Sequence, residues 1–333
     1  MVVHSRASSF WGMLRIQRPT GHPVDLETVA SLRPNGGCVV TVGNFDGVHL
    51  GHQALLAAAK QRSIALGVPF YAITFEPHTR HFLDPRGGPQ LLSTWCERER
   101  LLARHGVDKT VTLRFDDDVR KLAATDFVDL LADDLGAVEL LLGFDHRFGR
   151  GGTGTAEAIT PHCQEKGVAL SVVGAHLREG LPVSSTLVRA AMSEWGRFEE
   201  AVRMLGHPWM LLGEVVRGDG RGRVLGFPTA NLEPLNPRKL LPASGVYAGR
   251  LRWGDGICHP AVVNIGTAPT FERGIRVVEV HVPKGPGPDY GQICQLDLYF
   301  QLRQECRFES LDALRAQIGH DAETAWKKVA RLP

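Results

Sequence analysis

The sequence predicts an α/β domain with a parallel sheet in its N-terminal half, followed by an antiparallel β-barrel closed by a terminal helix. Three observations carry this. Between residues 37 and about 195, short β-branched runs alternate with helical periods, the pattern of βαβ units whose sheet is covered on both faces. From about 207 the helical period stops, and short strands recur between turn signals. A chain of 333 residues with 43% apolar content has length for two such cores.

The elements of the first half follow in order. Cys38 to Val42 is a strand free of charge. The stretch "TVGNFDGVHLGHQALL", Thr41 to Leu56, then runs through a glycine-rich loop until Leu50, Leu55, Ala58 and Ala59 recur at helical spacing, so a helix opens near His52. Phe70 to Phe75 is the second strand. A helix near Glu97 to Arg104 stops at Gly106, and Thr110 to Leu113 is the third strand. Thr125 is placed as N-cap of a helix over Asp126 to Leu135, ended by Gly136. Glu139 to Leu142, a helix up to Gly167, and the strand Val168 to Val173 complete the alternation. Parallel sheets bind ligands beyond the carboxyl ends of their strands, and the Thr41 to Leu56 loop lies at such an end.

In the second half the strands are Leu211 to Val216, Val246 to Trp253, Cys258 to Ile265, Val277 to Val282 and Ile293 to Gln301. Gly254-Asp255-Gly256 suits a tight hairpin, and Ser310 caps a closing helix that runs to about Ile318. An amphipathic stretch, Phe198 to Leu205, and then Gly206-His207-Pro208 mark the join. The expected divisions are an N-terminal extension (1–36), a first domain (37–195), a linker (196–207) and a second domain (208–333).

Composition excludes several roles. The 38 basic and 36 acidic residues leave a net charge of +2, without a recognition helix or an aromatic-and-basic stripe, so no nucleic-acid partner is expected. The six cysteines show no CxxC pair, which suits thiols in a reducing compartment and not a zinc site. Phe10 to Leu14 is too short for a secretory core, and no later stretch is apolar enough to cross a bilayer. A cytoplasmic protein with no membrane partner is expected.

The chemistry concentrates at strand ends. His49 and His52, three apart at a helix start, can reach one anion together with the first-turn amides, and Gly43, Gly47 and Gly51 allow close backbone approach. Ser184 or Ser185 can cap the helix that carries Thr186 and, one turn on, Arg189, whose guanidinium can clamp phosphate oxygens. These two stretches read as opposite jaws of a triphosphate clamp. Phe75, Pro77 and His78 after the second strand, and Asp145 and Phe148 after the fourth, suit a ring-bearing substrate or ordinary loop packing. In "RGDGRGRVLGFPTANL", Arg217 to Leu232, the glycines (among them Gly222 and Gly226) read equally as a hairpin or as a phosphate-lining arm before Pro228-Thr229-Ala230-Asn231. Strand alternation puts Glu279 and His281 opposite Val278 and Val280, so Glu279 is either an exposed strand glutamate or a base. No GxxxxGK[ST] occurs, so neither site is a Walker A loop.

The motifs His49-Leu50-Gly51-His52, Val183 to Arg189, Pro228-Thr229-Ala230-Asn231, "SGVYAGRL", "NIGTAPTF" and "VEVHV" resemble those of the bacterial bifunctional riboflavin kinase and FMN adenylyltransferase (FAD synthetase) family, from about residue 37 onward. The resemblance implies an HxGH nucleotidyltransferase with a Rossmann-like parallel sheet, then a riboflavin kinase barrel. It implies that ATP is co-substrate, with riboflavin, FMN, FAD and pyrophosphate as the other ligands. It makes His49, His52 and Arg189 catalytic in adenylyl transfer, with Phe45 and Asp46 beside the ATP phosphates, and Glu279 the kinase base, with Mg²⁺ on Thr229 and Asn231 inside the barrel. The alternative is a riboflavin kinase whose nucleotidyltransferase half is impaired or takes another acceptor. Some positions depart from the family pattern: Thr79 stands in place of a second proline after Glu-Pro-His, His146 in place of a phenylalanine, Gly152 in place of a frequent arginine, and in the barrel His281-Val282-Pro283-Lys284 replaces an acidic, aromatic stretch, whose end Asp289-Tyr290-Gly291 restores.

Overall fold

The computed structural model describes residues 22–332, apart from 85, 219, 221, 223–224, 255, 268–275, 284–286 and 331. Most of the expected N-terminal extension, the Asp255 turn and the end of "NIGTAPTF" therefore lie outside the described residues. Contacts among those described divide into two compact units, one up to Ser185 and one from Thr186 on.

The first unit is built on a parallel sheet in the order β3-β2-β1-β4-β5. Its strands are β1 (Cys38–Val42), β2 (Phe70–Glu76), β3 (Lys109–Arg114), β4 (Ala137–Gly143) and β5 (Ala169–Val173). All five residues of β1 are buried, as a central strand requires. The helices are α1 (Leu50–Leu66), α2 (Thr79–Leu83), α3 (Trp95–Arg104), α4 (Asp117–Lys121), α5 (Ala124–Asp129) and α6 (Ala156–Glu165). Gly67, in the left-handed region at φ 68°, ends α1. The chain moves outward from β1 to β2 and β3, then returns to place β4 on the other side of β1, so a crevice opens at the carboxyl end of β1.

Two local expectations are corrected here. The helix placed over Asp126 to Leu135 is α5 followed by a single π turn, Leu130–Asp134. Its N-cap is Ala123, not Thr125, because the Asp126 carboxylate reaches back to accept the Ala123 N–H at 3.4 Å. A short hairpin, β6 (Leu177–Arg178) and β7 (Leu181–Pro182), also follows β5; its exposed leucines gave no alternating pattern to read.

The second unit starts one residue inside α7 (Ser185–Ser193) and continues through α8 (Phe198–Leu205). The expected linker is therefore largely a packed helix, with Phe198 set edge-on to Tyr247 at 5.0 Å. A closed barrel follows in the order β10-β11-β12-β9-β8-β13. It is made of β8 (Trp209–Val216), β9 (Thr229–Pro234), β10 (Gly245–Arg252), β11 (Cys258–Thr267), β12 (Arg276–His281) and β13 (Ile293–Arg303). Strand β9 was not among the expected strands, because Thr229, Asn231 and Glu233 give it a polar face and little apolar run. Ser310 caps α9 (Leu311–Val329) by accepting the Ala313 N–H at 3.1 Å, and the helix runs well past Ile318 to bury Ala322, Ala325 and Val329 on Val246, Ala248 and Val262.

Candidate active sites

In the first unit the loop after β1 is strained and held down. Phe45 and Val48 adopt φ of 47° and 40°, which costs non-glycine residues of order 1–3 kcal/mol each. The buried Asp46 carboxylate offsets this by accepting from the Leu92 and Ser93 N–H groups at 3.2 and 2.9 Å, and the Gly47 N–H donates to Ser93 Oγ at 2.8 Å. Charge-assisted bonds of this kind contribute roughly 1.5–3 kcal/mol each, enough to hold the strain. Asp46 and Gly47, expected beside the phosphates, thus brace the loop. The Phe45 ring lies beneath it: a Cβ on Gly43 would stand 3.1 Å from that ring, and the ring meets His52 edge-on at 5.3 Å.

His49 is the N-cap residue of α1, and His52 lies in its first turn. Their rings stack with centroids 3.8 Å apart and planes 20° from parallel. His52 Nδ1 is buried without a hydrogen-bond partner. Burial first, then repulsion from His49 and His146, pushes the His52 pKa well below the usual histidine range. Both motifs meet here. A Cβ on Gly51 would press at 3.2 Å on the His49 ring and on the Val183 carbonyl, and Ser185 Oγ donates to the Asp46 carbonyl at 2.9 Å. Ser184 precedes α7, Thr186 is exposed in its first turn, and Arg189 stands half-buried one turn from Ser185.

Phe75 and Phe148, from β2 and the loop after β4, line a cavity of about 370 Å³ together with Asn44, Thr79, His146 and Gly152. Pro77, His78 and Asp145 are not among the residues lining it. His78 is buried and its Nδ1 accepts the Arg80 N–H at 3.2 Å, capping α2. Asp145 is exposed, beside His146. Sequence reasoning did not place His146 in the site. Its Nε2 is buried and unpartnered, and burial lowers its pKa to about 4 against the smaller opposing effect of Asp145.

In the second unit the sheet register assembles the site. Glu279 on β12 lies directly opposite Asn231 on β9 and Asn264 on β11, and His281 lies opposite Thr229. The alternate positions Leu232, Val263, Ile265, Val278 and Val280 are buried and fill the barrel. The expected site inside the barrel is therefore corrected: the interior is occupied by hydrocarbon, and Glu279, Asn231 and Thr229 stand on the outer wall. There a cavity of about 460 Å³ is lined by Gly222, Thr229, Asn264, Glu279 and His281, with Leu314, Ile318 and Asp321 of α9 on its other side.

The glycine arm passes close over this wall. A Cβ on Gly222 would stand 2.4 Å from the Phe227 carbonyl and 3.0 Å from Thr229 Oγ1, and one on Gly218 would collide with the Asn231 amide. Gly226 turns in the left-handed region at φ 85°. His281 Nδ1 donates to the Pro228 carbonyl at 2.9 Å and fixes the entry to β9. Sequence reasoning missed Asn264, Arg303, Glu305 and Asp321, all lining the cavity. Arg303 grips Asp321 through Nε and Nη2 at 2.9 and 2.8 Å, tying α9 to β13. Asn264 lay within a quoted motif, but only the strand register reveals that it faces Glu279.

Comparison with known proteins agrees with this two-part arrangement. The family model described as FAD synthetase matches residues 32–187, and that described as riboflavin kinase matches 205–329. The bifunctional riboflavin kinase/FMN adenylyltransferases of Pseudomonas fluorescens and of Escherichia coli K12 are each 38% identical, over 89% of this chain and 94% of theirs. That of Bacillus subtilis is 31% identical over 88% of this chain and 93% of its own. A solved structure named as a macrolide-efflux protein from Streptococcus pneumoniae superposes with a TM-score of 0.81 at 29% identity, covering 91% of this chain and 98% of that one. The efflux in that name concerns that protein; among the described residues here no helix is long and apolar enough to cross a membrane. With both family models matched in order and near-full-length relatives at 38% identity, the chain belongs to the bifunctional riboflavin kinase/FMN adenylyltransferase family.

Proposed function

We propose that the two cavities carry successive steps of flavin-cofactor synthesis. The barrel transfers the γ-phosphoryl group of ATP to riboflavin, and the α/β unit transfers AMP from a second ATP to the resulting FMN, giving FAD and pyrophosphate. The observation that carries this is the coexistence, in one chain of this family, of the stacked His49–His52 pair at a helix start and the Glu279–Asn231–Thr229 wall. The activities divide at residues 196–207, with adenylyl transfer in 37–195 and phosphorylation in 208–333.

In adenylyl transfer an FMN phosphate oxygen attacks the α-phosphorus of ATP and pyrophosphate leaves. The protein aligns the reactants and stabilises oxygen charge, with no covalent intermediate. His49, His52 and the first-turn amides of α1 hold the phosphates from one side, with Ser184, Ser185, Thr186 and Arg189 on the other jaw. The negative charge of a bound triphosphate favours a proton on His52, against the burial and the neighbouring imidazoles that disfavour it. Phe75 and Phe148 receive the flavin ring, and Pro77, His78 and Asp145 shape the surrounding loops.

In phosphorylation Glu279 takes the proton of riboflavin's terminal hydroxyl as that oxygen attacks the γ-phosphorus, and ADP leaves. Gly222 and Gly226 bring backbone close to the phosphates. The hydroxyl of Thr229 and the amide oxygen of Asn231 are hard donors, so this wall suits a partly hydrated Mg²⁺ shared with phosphate. Bound there, Mg²⁺ neutralises charge on the transferring group. The use of ATP and six free cysteines support a cytoplasmic location.

Incubation with riboflavin, ATP and Mg²⁺, followed by chromatography, tests the reading. FMN and FAD together are expected. FMN without FAD marks the first unit as impaired, and neither product overturns the proposal.

A further inference from the structure

We propose that His146 sets acceptor selectivity in adenylyl transfer, presenting imidazole Nε2 as the group in an aromatic pocket that hydrogen-bonds the polar edge of the flavin ring. This rests on the reading above that the cavity behind β2 and β4 receives FMN.

The pocket is chiefly aromatic. Phe127 lies 5.2 Å from Phe148 and 6.5 Å from Phe75, and the His146 ring continues the wall 5.9 Å from Phe148. Among its polar side chains, Asn44 and Thr79 satisfy one another, Asn44 Nδ2 donating to Thr79 Oγ1 at 3.0 Å. Arg120, Arg147 and Arg150 also line the cavity, but all three are exposed and so suit the phosphate end of a ligand. His146 Nε2 is different: it is buried and has no partner. A buried polar atom left unpaired costs roughly 1–3 kcal/mol, which a ligand supplying the missing hydrogen bond recovers.

The isoalloxazine ring fits that need. One edge carries carbonyls and ring nitrogens, and the other carries methyl groups. A single polar nitrogen among phenyl rings therefore orients the flavin and disfavours flat acceptors without such an edge, whose binding leaves the imidazole unpaired. His146 is uncharged at neutral pH, since burial lowers its pKa to about 4 although Asp145 opposes the shift. The neighbouring His52 gains from this, because charge on His146 disfavours charge on His52. Thr79 and Gly152 line this cavity with His146. Phenylalanine at 146 keeps an aromatic wall and removes the nitrogen.

The test is steady-state adenylyl transfer by the full chain, comparing wild type, H146F and H146Q with FMN and with a naphthylalkyl phosphate that is flat but lacks ring heteroatoms. H146F is expected to raise KM for FMN roughly five- to tenfold, as loss of one hydrogen bond gives, with kcat within about twofold. H146Q, which retains a polar group, stays within about threefold of wild type in KM, and the preference for FMN over the naphthyl ester narrows only in H146F. An unchanged or lower KM for FMN in H146F, or equal impairment of H146Q, overturns the proposal. If H146F does not fold, H146L against H146Q supplies the same contrast. Failure of the wild type to make FAD from FMN and ATP would instead overturn the adenylyl-transfer reading itself.

Discussion

The imidazoles of His49 and His52 stack 3.8 Å apart at the opening of α1, so a proton on either ring opposes one on the other. Burial and the neighbouring imidazoles of His49 and His146 keep His52 uncharged.

Replacing His52 by Ala removes one donor from developing phosphate charge. Loss of a single preorganised donor of this kind lowers kcat by about 10²–10³. H52A is expected to lose FAD formation from FMN by that order while still converting riboflavin to FMN. Full FAD formation by H52A would mean that the stacked pair is not the clamp.

Acid should loosen the first unit. His146 and His52 both have folded pKa values below the unfolded value of 6.5, so the unfolded chain binds more protons as pH falls. Their contribution to stability is whole above pH 6.5 and is lost downward, for His146 until about pH 4. At about 1.4 kcal/mol per unit, His146 accounts for at most about 3 kcal/mol. Scanning calorimetry should show the wild-type unfolding midpoint dropping more steeply between pH 7 and 5 than that of H146F; parallel profiles would contradict the assignment.

Glu279→Gln keeps the shape of the barrel wall and removes the proposed base. A positioned general base contributes about 10²–10⁴ in rate, so riboflavin phosphorylation should fall by that range. FMN supplied directly should still become FAD. The comparison of E279Q with riboflavin and with FMN as starting material separates the two sites in one preparation.

Gly222→Ala places a methyl group 2.4 Å from the Phe227 carbonyl, a backbone atom with little freedom to yield. The arm must lift from Thr229. Overpacking of this kind costs about 1–3 kcal/mol, so KM for ATP in the kinase reaction should rise roughly tenfold, measured with ADP release at saturating riboflavin. An unaltered KM would place the nucleotide elsewhere.

Much of this arrangement was legible in the residues. Strand β1 shows itself because a central parallel strand must be apolar on both faces, and α8 because its amphipathic period runs from Phe198 to the left-handed Gly206. The pairing of His49 with His52 at a helix start was legible because strand, loop and helix start are contiguous in sequence. Asn264, Arg303 and Asp321 were not, because they meet Glu279's cavity only through barrel closure and the docking of α9, which are long-range facts. Strand β9 hid because Thr229, Asn231 and Glu233 give it a polar face, which weakens the apolar alternation that announces a strand. Thr125 is not the cap because the helix opens at Ala124 and takes Thr125 into its first turn, while the Asp126 carboxylate accepts the Ala123 N–H.

Placing Glu279 on the outside of a closed ring of six strands has a consequence for how such a chain can vary. With period-two geometry, a slip of one residue in β12 exchanges Glu279 for Val278, burying a carboxylate in oil and exposing the filling. Single-residue insertions in that strand should therefore destroy both folding and phosphorylation, so the length of β12 is fixed by the need to keep hydrocarbon inside the ring and Glu279 outside it.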